Sequence, residues 1–380
     1  MIYLDYAATT PADPWAIEAM NRCMADCWQN PSAAYAAAGH ARRALREARQ
    51  AVAELLNAAP QEIIFTSGGT EANNQAVALA QGGHAVVSAI EHASVLNAAR
   101  ALCREVTLVP PDADGVISPE AVAAALRPDT RLVSVQLANN ETGALQPAAQ
   151  IGRLARSRRV PYHCDAVQAV GHVPVDVRAL NADLVTLSGH KLYGPRGVGA
   201  LWARPGMPLP PLIYGGGQEL GLRAGTENVP AVAGLGIAAA LARGDMAAEA
   251  DRERSLLAGF LGQLRARVPE CRLLGEEAPR LPNIAALLLP GLPSEAAIAK
   301  LDMEGILLSG GAACASHEQA PSHVYRAMGL SDADAACVLR VSIGRGTTAD
   351  DLATAADAIA KLFPKAFPSG EGGICAANDG

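Results

Sequence analysis

The chain has 380 residues, half of them apolar but only 4% aromatic and 18% charged, so a core of Ala, Val, Leu and Ile is expected and disorder is excluded. A formal charge of −7 and a pI near 5.7 give no electrostatic basis for binding nucleic acid or an anionic membrane. Eight cysteines without paired spacings fit reduced thiols, and no basic-then-apolar segment resembling a secretory signal opens the chain, so a cytoplasmic location is expected.

Taken in order, Tyr3 to Pro11 form a short extended segment that ends in a turn. Asp13-Pro14 starts a helix, a capping carboxylate followed by proline in the first turn. On that helix Cys23 and Cys27 lie four apart, but no second Cys/His pair stands close by, so no metal site is expected. A long amphipathic helix is predicted over 40–57, with apolar residues at 41, 44, 45, 48, 52, 55 and 56. Its arginines 42, 43, 46 and 49 read as a solvated basic face. From Glu62 the pattern alternates strand and helix, with apolar runs at 62–66, 84–88, 105–109, 131–135, 160–164, 184–188 and 198–203. That rhythm predicts an α/β domain whose mostly parallel, seven-stranded sheet is flanked by helices. Past Pro230 a helix carrying the apolar run 231–242, too short to span a bilayer, leads into a charged helical stretch over 245–267. A run at 284–289, a helix at 294–304, a Gly/Ala loop, a helix at 321–328, a strand at 338–343 and a helix at 348–362 then predict a smaller C-terminal α+β domain. The expected division is a large domain at 12–250, a small domain from 1–11 and 251–367, and a frayed tail at 368–380.

Open parallel sheets bind ligands beyond the carboxyl ends of their strands. The residues just after the apolar runs are therefore the candidates. They are Ser67-Gly68-Gly69-Thr70-Glu71, Glu91-His92, Asn139-Asn140-Glu141-Thr142-Gly143, Asp165-Ala166-Val167-Gln168 and Ser188-Gly189-His190-Lys191. Lysine is rarely buried without a partner. A desolvated lysine has its pKa lowered, which is what an amine needs to condense with an aldehyde. A simply solvated strand-end lysine is the alternative for Lys191. Gly68-Gly69-Thr70 at a helix start offers N–H groups and a hydroxyl to an anion. Asp165 leaves an apolar strand, where a bare carboxylate is costly, and is expected to meet a cation. One compound unites a phosphate, a cationic ring nitrogen and an aldehyde: pyridoxal 5′-phosphate, held by a lysine Schiff base with a carboxylate at its ring nitrogen.

Further motifs are Tyr3-Leu4-Asp5-Tyr6-Ala7-Ala8-Thr9-Thr10-Pro11, Arg223-Ala224-Gly225-Thr226-Glu227-Asn228 and Ser309-Gly310-Gly311-Ala312-Ala313-Cys314-Ala315-Ser316. With those above, in order and over nearly the whole chain, they resemble the cysteine desulfurases, in the class V branch of the fold-type I pyridoxal-phosphate enzymes. The resemblance implies that Lys191 would hold the cofactor as a Schiff base and later move the substrate Cα proton. Asp165 would keep the ring nitrogen protonated, Gln168 would bond the ring's phenolate oxygen, and His92 would stack on the ring and act in proton transfer. Gly69, Thr70, Ser188 and His190 would hold the phosphate. Thr226 matches a residue that reaches the phosphate of a neighbouring subunit, which implies a homodimer. Asn140 and Arg340 would bind the substrate carboxylate, a task suited to a bidentate guanidinium. Cys314, in a small, polar segment, would attack the sulfur of bound L-cysteine, leaving a persulfide on Cys314 and releasing L-alanine. The other seven cysteines read as structural, with Cys375 a spectator on the tail.

The implied activity supplies sulfur for iron–sulfur cluster assembly or another sulfur pathway, through an acceptor protein such as a scaffold. Departures from the family pattern are Tyr35, near where relatives often carry histidine, a short connection before His84, the segment His317-Glu318-Gln319-Ala320-Pro321, and the tail containing Cys375. They bear on the sulfur acceptor rather than on the chemistry. A selenocysteine lyase or another class V enzyme is the second reading. A catalytically silent sulfur carrier or scaffold-binding protein is the third, and the intact Asp165 and Lys191 count against it.

Overall fold

The computed structural model describes residues 1–311 and 321–363; Cys314, Cys375 and the predicted tail lie outside them. After a two-residue strand β1 (Ile2–Tyr3), helix α1 (Pro14–Asp26) begins where the Asp13 carboxylate accepts the Trp15 N–H at 2.9 Å. Helix α2 (Gly39–Leu55) buries Ala41, Leu45, Ala48 and Val52, the stripe its spacing predicts. Its arginines are not the uniformly solvated face expected. Arg43 and Arg46 are exposed, but Arg42 donates to the Ala33 carbonyl at 2.6 Å and Arg49 pairs with Glu219 at 2.5 Å. Long aliphatic stems let these two guanidinium groups reach acceptors beside the helix.

The alternating section follows as β2 (Ile63–Thr66), α3 (Gly69–Ala78), β3 (His84–Ser88), α4 (Ala93–Leu102), β4 (Glu105–Val109), α5 (Pro119–Ala125), β5 (Thr130–Ser134), α6 (Ala148–Ser157), β6 (Tyr162–Asp165), β7 (Leu184–Ser188) and β8 (Gly199–Ala203). The seven strands form one sheet in the order β2-β8-β7-β6-β5-β3-β4. Strand β8 runs antiparallel to both neighbours and every other pairing is parallel. Strands β2, β3, β6 and β7 are buried along their whole length, which is why they read as apolar runs. The strand order reverses between β3 and β5, and such a switch opens a crevice at the carboxyl edge.

The predicted pair of helices past Pro230 is one continuous helix, α7 (Val229–Arg267), because Gly244 lies in its interior without breaking it. Its first half packs Leu235, Ala238 and Ala239 into the main core, and its second half packs Leu257, Phe260 and Leu264 into a second core. By length and composition α7 could cross a membrane, but these residues are core residues here. Beyond it come β9 (Arg272–Leu273), β10 (Ile284–Leu288), α8 (Ser294–Met303), β11 (Ile306–Leu307), α9 (His323–Ala327), α10 (Asp332–Ala335), β12 (Val338–Ser342) and α11 (Ala349–Leu362). Strands β12-β10-β9 make an antiparallel sheet, and β11 pairs in parallel with β1. The chain's first strand is thereby fixed to its last third, and Leu4 joins the second core. Among the described residues, Cys23, Cys164, Cys271 and Cys337 are buried, and no cluster of His, Cys, Asp or Glu is placed to hold a metal ion.

Candidate active site

A cavity of about 210 Å³ opens at the carboxyl edge of the large sheet. Its lining comes from Ala7 and Ala8 after β1, from Gly69, Thr70 and Asn73 on α3, and from His92 and Ser94 at the start of α4. Gln136, Ala138 and Asn140 follow β5, Asp165, Val167 and Gln168 end or follow β6, Ser188, His190 and Lys191 end or follow β7, and Arg340 lies on β12. Of the described residues to which the resemblance gives a role, all line this cavity except Thr226, which is exposed on the loop before α7, while neighbouring candidates such as Glu71, Glu91, Asn139 and Glu141 lie outside the lining.

Lys191 closes a single 3₁₀ turn, Gly189–Lys191, directly after β7. The turn needs Gly189, since a Cβ there would sit 2.9 Å from the Pro195 carbonyl oxygen. The half-buried amine donates to the carbonyls of Ala7 and Ala8, the latter at 2.8 Å. On the adjacent strand Asp165 is only 6% exposed, and its two oxygens accept from the Val167 N–H at 2.9 Å and from Asn73 Nδ2 at 2.7 Å. Gln168 donates to the Ala7 carbonyl at 2.8 Å.

Burial governs the electrostatics. The His92 imidazole has its pKa lowered by burial, with the charges of Lys191 and His323 adding to that effect and Asp165 opposing it. His190 is pulled down to about 4 by burial and by the charges of Lys191 and Arg196. Beneath the cavity, burial brings His163 to about 4, and its ring nitrogens lie 2.9 Å from Ser134 Oγ and 3.0 Å from Thr186 Oγ1. These rings are therefore neutral at neutral pH. Glu91 is wholly enclosed, and burial together with the Asp165 charge pushes its carboxyl well above the usual range. It thus favours the neutral acid.

At the start of α3 the chain must come close to the ends of β6 and β7. Gly68 takes φ +152°, a conformation L side chains rarely adopt, and a Cβ on Gly69 would lie 3.0 Å from Val167 Cγ2 and 3.5 Å from Ser188 Cβ. A helix N-terminus with hydroxyls at Thr70 and Ser188 is thereby left open to an anion. Across the cavity Arg340, 1% exposed, pairs with Asp5 at 2.6 Å and donates to the Asn140 carbonyl at 2.9 Å. Its Nε has no hydrogen-bond partner among the described residues. In the exposed loop that carries Thr226, Arg223 pairs with Glu71 on α3 at 3.0 Å.

Sequence reasoning singled out neither Asn73 nor Ser94, which lie between Asp165 and His92. In sequence Asn73 falls within the segment Phe65–Asn74, part of the family resemblance, but without a role of its own, and the only signal of Ser94 is its place two residues past His92. The carbonyls of Ala7 and Ala8 gave no signal at all, since every residue has one. Together these groups offer an anion site, a carboxylate for a cationic nitrogen, an amine for an electrophilic carbon and a guanidinium for a second carboxylate. They fit a ligand combining a phosphate, a protonated ring nitrogen and a reactive carbonyl carbon.

Residues 2–354 match the family model for aminotransferase class-V. The chain is 40% identical over 375 residues to a cysteine desulfurase IscS of Clostridium botulinum, spanning 96% of this chain and 94% of that protein. It is 44% identical over 362 residues to a cysteine desulfurase of Cereibacter sphaeroides, spanning 92% of each. Among solved structures, a NifS-like protein from Rickettsia africae superposes with a TM-score of 0.89 at 31% identity, over 96% of this chain and 99% of that one.

Proposed function

The chain belongs to the class-V aminotransferase family, and from that premise we propose that it is a soluble, cytoplasmic, pyridoxal 5′-phosphate-dependent cysteine desulfurase. It converts L-cysteine to L-alanine and passes the sulfur to an acceptor protein, for iron–sulfur cluster assembly or a related sulfur pathway. The observation that carries the reading is the pair Asp165 and Lys191, delivered by adjacent strands into one cavity beside an open helix N-terminus.

When bound, the pyridoxal group supplies an electron sink for charge developing at the substrate Cα. Gly69 and Thr70 at the α3 N-terminus, together with Ser188 and neutral His190, would hold the phosphate. A second copy of the chain completes that subsite through its own Thr226, so the enzyme is a homodimer. Asp165, already oriented by two N–H donors, would keep the ring nitrogen protonated, and Gln168 would bond the phenolate oxygen. Lys191 would hold the aldehyde carbon and move the Cα proton, and His92 would stand beside the ring and act in proton transfer. Arg340 and Asn140 hold the substrate carboxylate, with Asp5 keeping the guanidinium in place.

Cys314 supplies the nucleophile. Its sulfur bonds to the sulfur of the bound cysteine, the substrate C–S bond breaks, and the carbon takes up a proton and leaves as alanine. A free thiol near pKa 8.5 is only a few per cent thiolate at neutral pH, so a neighbouring base or cation must assist.

Replacing Cys314 by Ala tests the reading. Alanine formation from L-cysteine should vanish while the visible absorbance of the bound cofactor remains. Borohydride reduction followed by peptide mapping should mark Lys191. A protein left colourless after reconstitution, or a Cys314→Ala variant that still makes alanine at the original rate, would overturn the proposal.

A further inference from the structure

Between Asp165 and His92 stand two side chains to which the chemistry above gives no task. Asn73, on α3 and 1% exposed, places its Nδ2 2.7 Å from Asp165 Oδ2 and 2.9 Å from Ser94 Oγ. An amide nitrogen carries two hydrogens and accepts none, so both contacts are donations. Turning the amide over would set its oxygen against the Asp165 carboxylate, so the orientation is fixed by chemistry. Ser94 Oγ therefore accepts from Asn73, and its one hydrogen is directed at His92 Nδ1, 2.7 Å away. The Ser94 backbone N–H donates to the same nitrogen at 3.1 Å. Two donors converge on Nδ1, which leaves no room there for a proton.

We propose that Asn73 and Ser94 are positioning residues that lock His92 as the Nε2–H tautomer and tie its ring to the Asp165 carboxylate. The proposal rests on the reading of His92 as the group that works against the cofactor ring. Locking leaves Nε2–H as the one proton that His92 can offer and closes Nδ1 as a base. Protonating Nδ1 would require both donors to withdraw, so the relay acts in the same sense as burial and keeps the ring neutral. The charged and titratable groups facing His92 are Asp165, Lys191 and His323. Of these, only Asp165 favours the charged ring.

Selective 15N-histidine labelling of the full-length holoenzyme tests this through long-range proton–nitrogen spectra, with His92 assigned from its absence in a His92→Gln variant. Across neutral pH the wild-type ring should show a bare Nδ1 and a protonated Nε2. In Ser94→Ala, loss of one donor should raise the proton-binding constant of His92 about tenfold and lower kcat about tenfold with KM little changed. Ser94→Thr, which restores the hydroxyl, should recover both. A wild-type ring with its proton on Nδ1 would overturn the proposal without recourse to any variant. So would a Ser94→Ala enzyme whose His92 titration and turnover match wild type. The tautomer is read from the ring's own nitrogens, so failure to make alanine would count against the desulfurase reading and leave this result standing.

Discussion

Replacing Asp165 by Asn keeps the side chain's shape and removes its charge, yet the surroundings make the change severe. The two carboxylate oxygens accept from Asn73 Nδ2 at 2.7 Å and from the Val167 N–H at 2.9 Å. A carboxamide has one oxygen, so whichever way it turns, its NH₂ group faces one of these donors. One buried donor then loses its partner, which lowers stability by about 1–3 kcal/mol. The second consequence falls on catalysis, where the ring nitrogen of the cofactor loses its anionic partner. Removing a preorganised electrostatic contact in an enclosed site is worth about 3–4 kcal/mol. That corresponds to a fall of about 10²–10³-fold in kcat. Alanine formation at saturating L-cysteine measures the rate, and cofactor content of the same sample separates slow chemistry from poor loading. The urea midpoint should drop with an unchanged slope. A fully loaded Asp165→Asn enzyme with kcat within about threefold of wild type would show that Asp165 does not serve the ring nitrogen.

Arg340→Lys keeps the charge but loses the fork that holds Asp5 and the Asn140 carbonyl, so KM for L-cysteine should rise about ten- to hundredfold with a smaller change in kcat. An unchanged KM would assign the substrate carboxylate to another group. Gly152→Ala in α6 should gain about 1 kcal/mol of helix propensity. Its Cβ would, however, lie 2.2 Å from the Leu180 carbonyl oxygen, a backbone atom that cannot turn aside. Overpacking of about 1–3 kcal/mol therefore wins and the thermal midpoint should fall, whereas a rise would refute the contact. Acid should weaken the fold through His163, whose pKa is about 4 against an ordinary 6.5. Between those values the unfolded chain binds a proton that the buried native ring refuses, so stability is whole above 6.5 and is lost as pH falls toward 4. From about pH 7 to about pH 5 the loss is about 2 kcal/mol, and urea midpoints of wild type and His163→Gln at both values should differ in slope with pH; identical slopes would remove His163 from the account.

The sheet was legible because strands buried on both faces leave unbroken apolar runs, and β3 and β7 fall where those runs do. The polar residues that follow them were legible for a related reason, since chemistry in such sheets gathers at the carboxyl edge. Asp165 shows the limit at the boundaries: it is the last residue of β6, paired with Thr186, rather than the first residue of the loop. Arg42 and Arg49 were misread as part of a solvated stripe because a helical wheel locates a side chain's origin but not the reach of its stem. Asn73 and Ser94 escaped notice because their bonds cross between two helices, and small polar residues near helix starts read locally as caps. Thr226 stands apart: its family motif is plain in sequence, yet one copy of the chain leaves it in solvent.

The site is an assembly of distant chain segments. The strand switch sets Glu91-His92 after β3 and Gln136 to Asn140 after β5 on either side of one crevice, while β6 and β7 bring Asp165 and Lys191 beside it. These elements alone leave one side of the crevice open. It is closed by the N-terminal segment, whose Ala7 and Ala8 carbonyls receive the Lys191 amine and whose Asp5 holds Arg340. That segment is itself pinned from the second core, by β1 pairing with β11 and by the Ser342 N–H donating to the Leu4 carbonyl at 2.9 Å. The Lys191 amine and the Arg340 guanidinium are therefore both oriented by the first eight residues of the chain. Packing in the second core, remote from the large sheet, thereby bears on how Lys191 and Arg340 are held in the cavity.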